Sequence, residues 1–290
     1  MERIIFVFLL TAFINLVNTL TRSSRLSGVR TNSLATAISL FSVVYLAASF
    51  ANTLQSPLLA STVESIIKDA YNQALGIAAA TDATYTQVYQ EAVTRLNYIL
   101  RFVMAGATVG TIVGMLVIPS FVTSFANAIK AFGRTGSVFR VVPLILLSLV
   151  KPGSGILKVR ISSWATIKTI VTTRMKTPAA FLVWNMVSYS LWTCNVLAGL
   201  YAGALYPEFR NTAIMMAAIV GNASIVLNVV MVDPVLAKAT DAVARGEENE
   251  LELKQIVFYL AISNLLGTIL AQAIFEPVAH GLMLLTRWVS

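Results

Sequence analysis

Thr-Arg-Ser-Ser-Arg-Leu-Ser-Gly-Val-Arg-Thr, residues 21–31, lies between two apolar runs. It sets Arg22, Arg25 and Arg30 within nine positions and has no acidic residue nearby. An arginine fork matches phosphate oxygens bidentately, which a lysine point charge does not. The stretch therefore reads as a phosphate-binding turn at the cytoplasmic edge of a membrane bundle. It also reads as a topology signal, because three arginines between two spans fix orientation by themselves. Both readings make the flanking runs membrane spans.

Composition agrees. Of 290 residues, 57% are hydrophobic and 12% charged, whereas soluble domains carry roughly 25% charged residues. The mean hydropathy is +0.77. The formal charge of +8 is spread between apolar runs with no interleaved RNA-binding motif, which argues against nucleic acid as a partner. Cys194 is the single cysteine and sits in an apolar run, so it reads as a packing residue. One histidine, His280, cannot form a multi-histidine metal centre, and no metal or cofactor is expected.

Before the arginines, residues 4–20 form a first span that is not cleaved, since no small-x-small site follows it. Asn15 and Asn18 lie on it at helical spacing and are expected to face the protein interior. After the arginines, a second span runs over 34–54 and is expected to stop at Gln55-Ser56-Pro57. Residues 64–97 are more polar and read as amphipathic helix outside the membrane, with Tyr71, Tyr85, Tyr89 and Tyr98 as interface-seeking aromatics. A third span covers 99–122. Its Gly106, Gly110 and Gly114 form a ridge that admits another helix closely, and Arg101 near its end is expected to reach the headgroups.

Residues 124–177 hold nine basic residues and no acidic one. The apolar run 141–150 is too short to cross a bilayer. After Pro152-Gly153-Ser154-Gly155, residues 156–175 have the pattern of a basic amphipathic helix lying in an anionic membrane surface. Further spans are expected over 178–206, 212–232 and 255–276, with Asn222 and Asn228 needing partners inside the bundle. Residues 233–254 read as an acidic cytoplasmic loop. The run 277–289 fits either a continued span or an interfacial helix.

The fold class is thus an all-α polytopic membrane protein of about six transmembrane helices with a basic cytoplasmic interfacial region. Fifteen basic residues fall in the loops on the side of Arg22 and six on the other, which places both termini outside the cell. The chain has no Gly-x-x-x-x-Gly-Lys-Ser/Thr loop, no His-Glu-x-x-His pair and no Gly-x-Ser-x-Gly elbow. Enzyme activity is not expected. Glu276 and His280 are four apart and form a candidate pair for proton or ion coupling, or else a cap at the outer surface.

Arg-Leu-Ser-Gly-Val-Arg-Thr at 25–31, Ala-Asn-Thr-Leu-Gln-Ser-Pro-Leu-Leu at 51–59, Val-Asp-Pro at 232–234 and Gly-Thr-Ile-Leu-Ala-Gln at 267–272 resemble the Amj type of lipid II flippases. These are bacterial proteins described as alternates to MurJ, and the resemblance covers essentially the whole chain. It implies translocation of lipid II, the undecaprenyl-diphosphate-linked disaccharide-pentapeptide, across the bacterial cytoplasmic membrane for peptidoglycan synthesis. With that substrate, Arg22, Arg25 and Arg30 would bind the diphosphate, and Asn15, Asn18, Asn52 and Gln55 would line the path. Two alternatives stay open: a flippase for another polyprenyl phosphate, and a non-transporting scaffold that gathers cell-wall synthesis proteins or a second copy of itself.

Overall fold

The computed structural model describes residues 2–76, 82–136, 164–173 and 175–290, and every regular element among them is helical. The helices are α1 (Glu2–Thr21), α2 (Ser23–Arg30), α3 (Leu34–Gly76), α4 (Asp82–Thr135), α5 (Trp164–Thr172), α6 (Ala180–Leu205), α7 (Arg210–Leu227), α8 (Asp233–Ala244) and α9 (Glu250–Val289). Five stretches are long and apolar enough to cross a membrane: Glu2–Arg30, Leu34–Gln73, Thr86–Thr135, Pro207–Ala244 and Glu250–Val289. The sixth expected span, 178–206, corresponds to α6. Its 26 residues suffice in length, and its apolarity is diluted by the buried Asn185, Ser188, Ser190 and Asn195.

Several boundaries differ from the sequence reading, for one physical reason. Segments read as ending at proline or polar residues continue as helix. Pro57, Pro119 and Pro277 all lie inside helices, as membrane helices packed among neighbours tolerate. At 1.5 Å per residue α3, α4 and α9 are about 65, 80 and 60 Å long, well beyond the ~30 Å of hydrocarbon. Residues 64–97 are therefore largely the two arms of a helical hairpin, where Leu59 and Val63 join Val93, Leu96 and Leu100 in one core cluster.

Residues 277–289 continue α9. The expected acidic loop over 233–254 is mostly helix, with a short connection after Ala244 in which Gly246 takes a positive φ of 74°. Residues 21–31 are not a turn either. Helix resumes directly after Arg22, with Ser23 and Ser24 hydroxyls donating to the carbonyls of Leu20 and Thr21. The chain reverses only at Asn32, whose φ of 49° is one that asparagine tolerates. The run 141–150, the Pro152–Gly155 turn and most of the basic helix expected over 156–175 lie outside the described residues.

The bundle is built from two triplets, α1 with α3 and α4, and α6 with α7 and α9. Glycines set both. A Cβ on Gly106 would come within 2.6 Å of the Phe8 carbonyl oxygen, and one on Gly110 would overlap the carbonyl of Ala12. Gly199 lies against Ala217, and Gly267 against the backbone of Met186. With backbones this close, dispersion contacts hold the helices where lipid removes the hydrophobic drive. The triplets meet chiefly through α4 on α9 and α6, whereas α3 touches α6 sparsely.

Candidate functional site

Arg22, at the junction of α1 and α2, points to the centre of the bundle. Its Nη1 donates to Asn185 Oδ1 at 2.6 Å and to Asn264 Oδ1 at 3.4 Å, and its Nη2 to Asn228 Oδ1 at 2.8 Å. The acceptors come from α6, α9 and the end of α7. Asn185 and Asn264 are 1% and 2% exposed, and they are tied to each other and to Ser263. All three acceptors are neutral. They fill three of the five N–H donors of the guanidinium without cancelling its charge.

Asn228 reaches this position through a break in helical regularity. Residues Asn228–Val232 form a π-helical turn, closed by the Asp233 amide donating to the Asn228 carbonyl. Pro234 follows and has no N–H for a regular helical bond, so the widened turn absorbs the mismatch. Helix then restarts as α8.

Beside Arg22 opens a cleft of about 370 Å³. Arg25, Asn18, Tyr189, Asn228 and Asp233 line it, and its rim includes Tyr45 from α3 with Ile225 and Val229 from the α7 side. Tyr45 is 38% exposed and Val229 55%. The cleft therefore opens sideways, into a surface that carries Leu46, Phe50, Leu54, Val226 and Val230 as exposed apolar side chains. Such a belt matches hydrocarbon. Two guanidinium groups and one carboxylate leave the cleft with a positive balance toward an anion.

The other residues singled out from sequence divide by position. Asn18 lines the cleft together with Arg22 and Arg25. Arg30 does not. It pairs with Glu250 at 2.7 Å, and Lys254 reaches the same carboxylate. Asn15 lies immediately behind the cleft, accepting from the Tyr189 hydroxyl at 2.9 Å. Gln55 donates to Thr11 Oγ1, and its own Oε1 is buried without a partner. Asn52 is exposed on α3.

Glu276 lies far from the cleft along α9. It accepts from Arg101 Nη2 at 2.8 Å and from Asn97 Nδ2 at 2.9 Å. Arg101 also donates to the Gln272 carbonyl, and Gln272 returns a bond to the Arg101 carbonyl. Arg101 was expected at the headgroups and instead turns inward, because α9 presents both a carboxylate and a backbone carbonyl to it. His280 is exposed, with Nδ1 2.8 Å from the Glu276 carbonyl oxygen.

At the α2 end of the molecule, Glu252 accepts from the Thr177 amide and hydroxyl, and Glu248 pairs with Lys176 at 2.6 Å. The hydrogen bond and charge of Glu248 hold the Lys176 ammonium above its usual pKa. Among the described residues no group of three or more His, Cys, Asp or Glu side chains is placed to hold a metal.

The asparagine cradle is what the sequence reading missed. Asn228 was marked as needing a partner and finds Arg22, whereas Asn185 and Asn264 were passed over as ordinary span residues. Their signal was present as an amide within each apolar helix.

The profile of the family described as "Amj: Alternate to MurJ" matches residues 10–286. The chain is similar to the Lipid II flippase Amj of Bacillus subtilis (strain 168), with 32% identity over 289 residues, 99% of this chain and 97% of that one. No solved structure matches.

Proposed function

The chain belongs to the Amj family, and from that membership we propose that it moves lipid II across the bacterial cytoplasmic membrane, with the lateral cleft as its diphosphate site. The observation that carries the site is Arg22, held by three neutral amide oxygens beside Arg25 in a cleft that faces lipid. A diphosphate cannot enter hydrocarbon alone without losing its hydration. In the cleft, two guanidinium forks replace that hydration, and the sideways mouth lets a polyprenyl tail remain in the bilayer.

In this reading Arg30 shapes the entry side through Glu250 and makes no contact with the lipid. Asn18 meets the diphosphate or the first sugar, and Asn15 and Gln55 continue the polar lining along α1 and α3. Arg101 and Glu276 fasten the two helix triplets at the far end and make no contact with the lipid. The excess of basic residues at the α2 end favours that end as cytoplasmic, with both termini outside.

The experiment is complementation of bacteria depleted of their lipid II flippases, with surface labelling of lipid II. Rescue accompanied by externally labelled lipid II is the expected result. Correct membrane insertion with neither rescue nor labelling would remove the proposal.

A further inference from the structure

Two amides mark a site that the arginines leave unexplained. The mouth of the cleft is framed by Tyr45 on α3 and Val229 in the widened turn after α7. Seven residues from each, toward the far end of the bundle, stand Asn52 and Asn222. Seven residues is nearly two helical turns, so each asparagine shares the face of its mouth residue and lies about 10 Å farther out. Both walls of the mouth thus continue into an asparagine.

Both side chains are exposed, and both surfaces are otherwise apolar. Phe50 and Leu54 flank Asn52, while Ile219 and Val226 flank Asn222. Among the described residues neither amide has a hydrogen-bond partner. An unpaired amide against hydrocarbon costs free energy, and one on each wall of the same mouth calls for a polar occupant. A third amide points the same way. Gln55, one turn beyond Asn52, is 8% exposed and has a buried oxygen without a donor.

We propose that Asn52 and Asn222 form a headgroup site, which holds the carbohydrate or peptide carried by a lipid diphosphate while the phosphates stay at Arg22 and Arg25. This rests on the flipping reading above. A side-chain amide both donates and accepts, as do sugar hydroxyls, acetamido groups and peptide bonds. The pair therefore reads the headgroup, whereas the arginines read phosphate common to every polyprenyl phosphate lipid. It separates a sugar-bearing lipid from a bare polyprenyl diphosphate.

The test uses the full chain in proteoliposomes, with two probes: fluorescent lipid II for flipping and undecaprenyl diphosphate, which lacks sugar, for binding. Leucine at lipid-facing positions suits the bilayer, so the Asn52→Leu/Asn222→Leu double variant inserts and folds. It is expected to flip lipid II about tenfold more slowly while binding undecaprenyl diphosphate within about twofold of wild type. Asn52→Gln/Asn222→Gln is expected to recover most of the rate. Unchanged flipping by the leucine variant overturns the inference, as does an equal loss of undecaprenyl diphosphate binding. Cross-linking between copies through Asn222→Cys also overturns it, by giving the amides to a second molecule. A wild-type protein that moves no lipid II removes the underlying reading, an outcome distinct from a wild type and a leucine variant that flip equally well.

Discussion

Arg22 and Arg101 are both partly buried arginines that bridge the two helix triplets, and they are satisfied in opposite ways. Arg101 faces a carboxylate, an amide oxygen and a carbonyl, so its charge is neutralised within the molecule. Arg22 faces three amide oxygens, so three of its five N–H donors are met by neutral groups, and the carboxylate of Asp233 lines the same cleft without being one of those hydrogen-bond partners. The first arrangement fastens helices. In the reading proposed above, the second keeps a cation in place for an anion, because a shell without a carboxylate leaves Coulomb attraction for the ligand. What distinguishes the two arginines is the charge of their partners, not their depth.

The contrast can be broken from either side. Arg22→Gln removes the uncancelled charge and should lower lipid II flipping roughly a hundredfold, with Arg22→Lys recovering only part, since an ammonium cannot fork. A variant that retained wild-type flipping in proteoliposomes would show that the cradle holds no substrate group. Asn264→Asp turns the second arrangement into a copy of the first. Its new carboxylate should compete with the diphosphate and slow flipping about tenfold, with the melting temperature in detergent unchanged or raised. A fall in stability without a fall in flipping would contradict the account of the cradle. The smallest effect is expected from Glu276→Gln. The Arg101 and Glu276 side chains are 31% and 46% exposed, so the pair is worth only about 0.5–1 kcal/mol. Unfolding titrations should find that loss while flipping stays within about twofold. A severe transport defect in a stable Glu276→Gln protein would instead return the residue to ion coupling.

The membrane class, the arginine cluster and the glycine ridge were legible in the sequence because each depends on neighbours within a few turns. The cradle was not. Asn185, Asn228 and Asn264 are 163, 206 and 242 positions from Arg22, and no local pattern reports a pairing of that range. Arg25 and Arg30 were also indistinguishable until Glu250 was seen beside Arg30. The helix ends were misjudged at Pro57 and Asp233-Pro234, and left open at Pro277, because proline stops helices most reliably in water, where freed carbonyls find solvent. In a packed membrane helix it leaves a widened turn or a slight bend.

The widened turn at Asn228–Val232 has a mechanical consequence. It stores one residue more than a regular turn, like slack taken up in a rope. If that slack passed along the helix, everything between it and the new position would rotate by about 100° and advance by about 1.5 Å. Asn228 would then leave Arg22, and the wall carrying Asn222 would present a different face to the mouth. A single surplus residue would thereby link the hold on Arg22 to the shape of the opening, with no need for the whole helix to tilt.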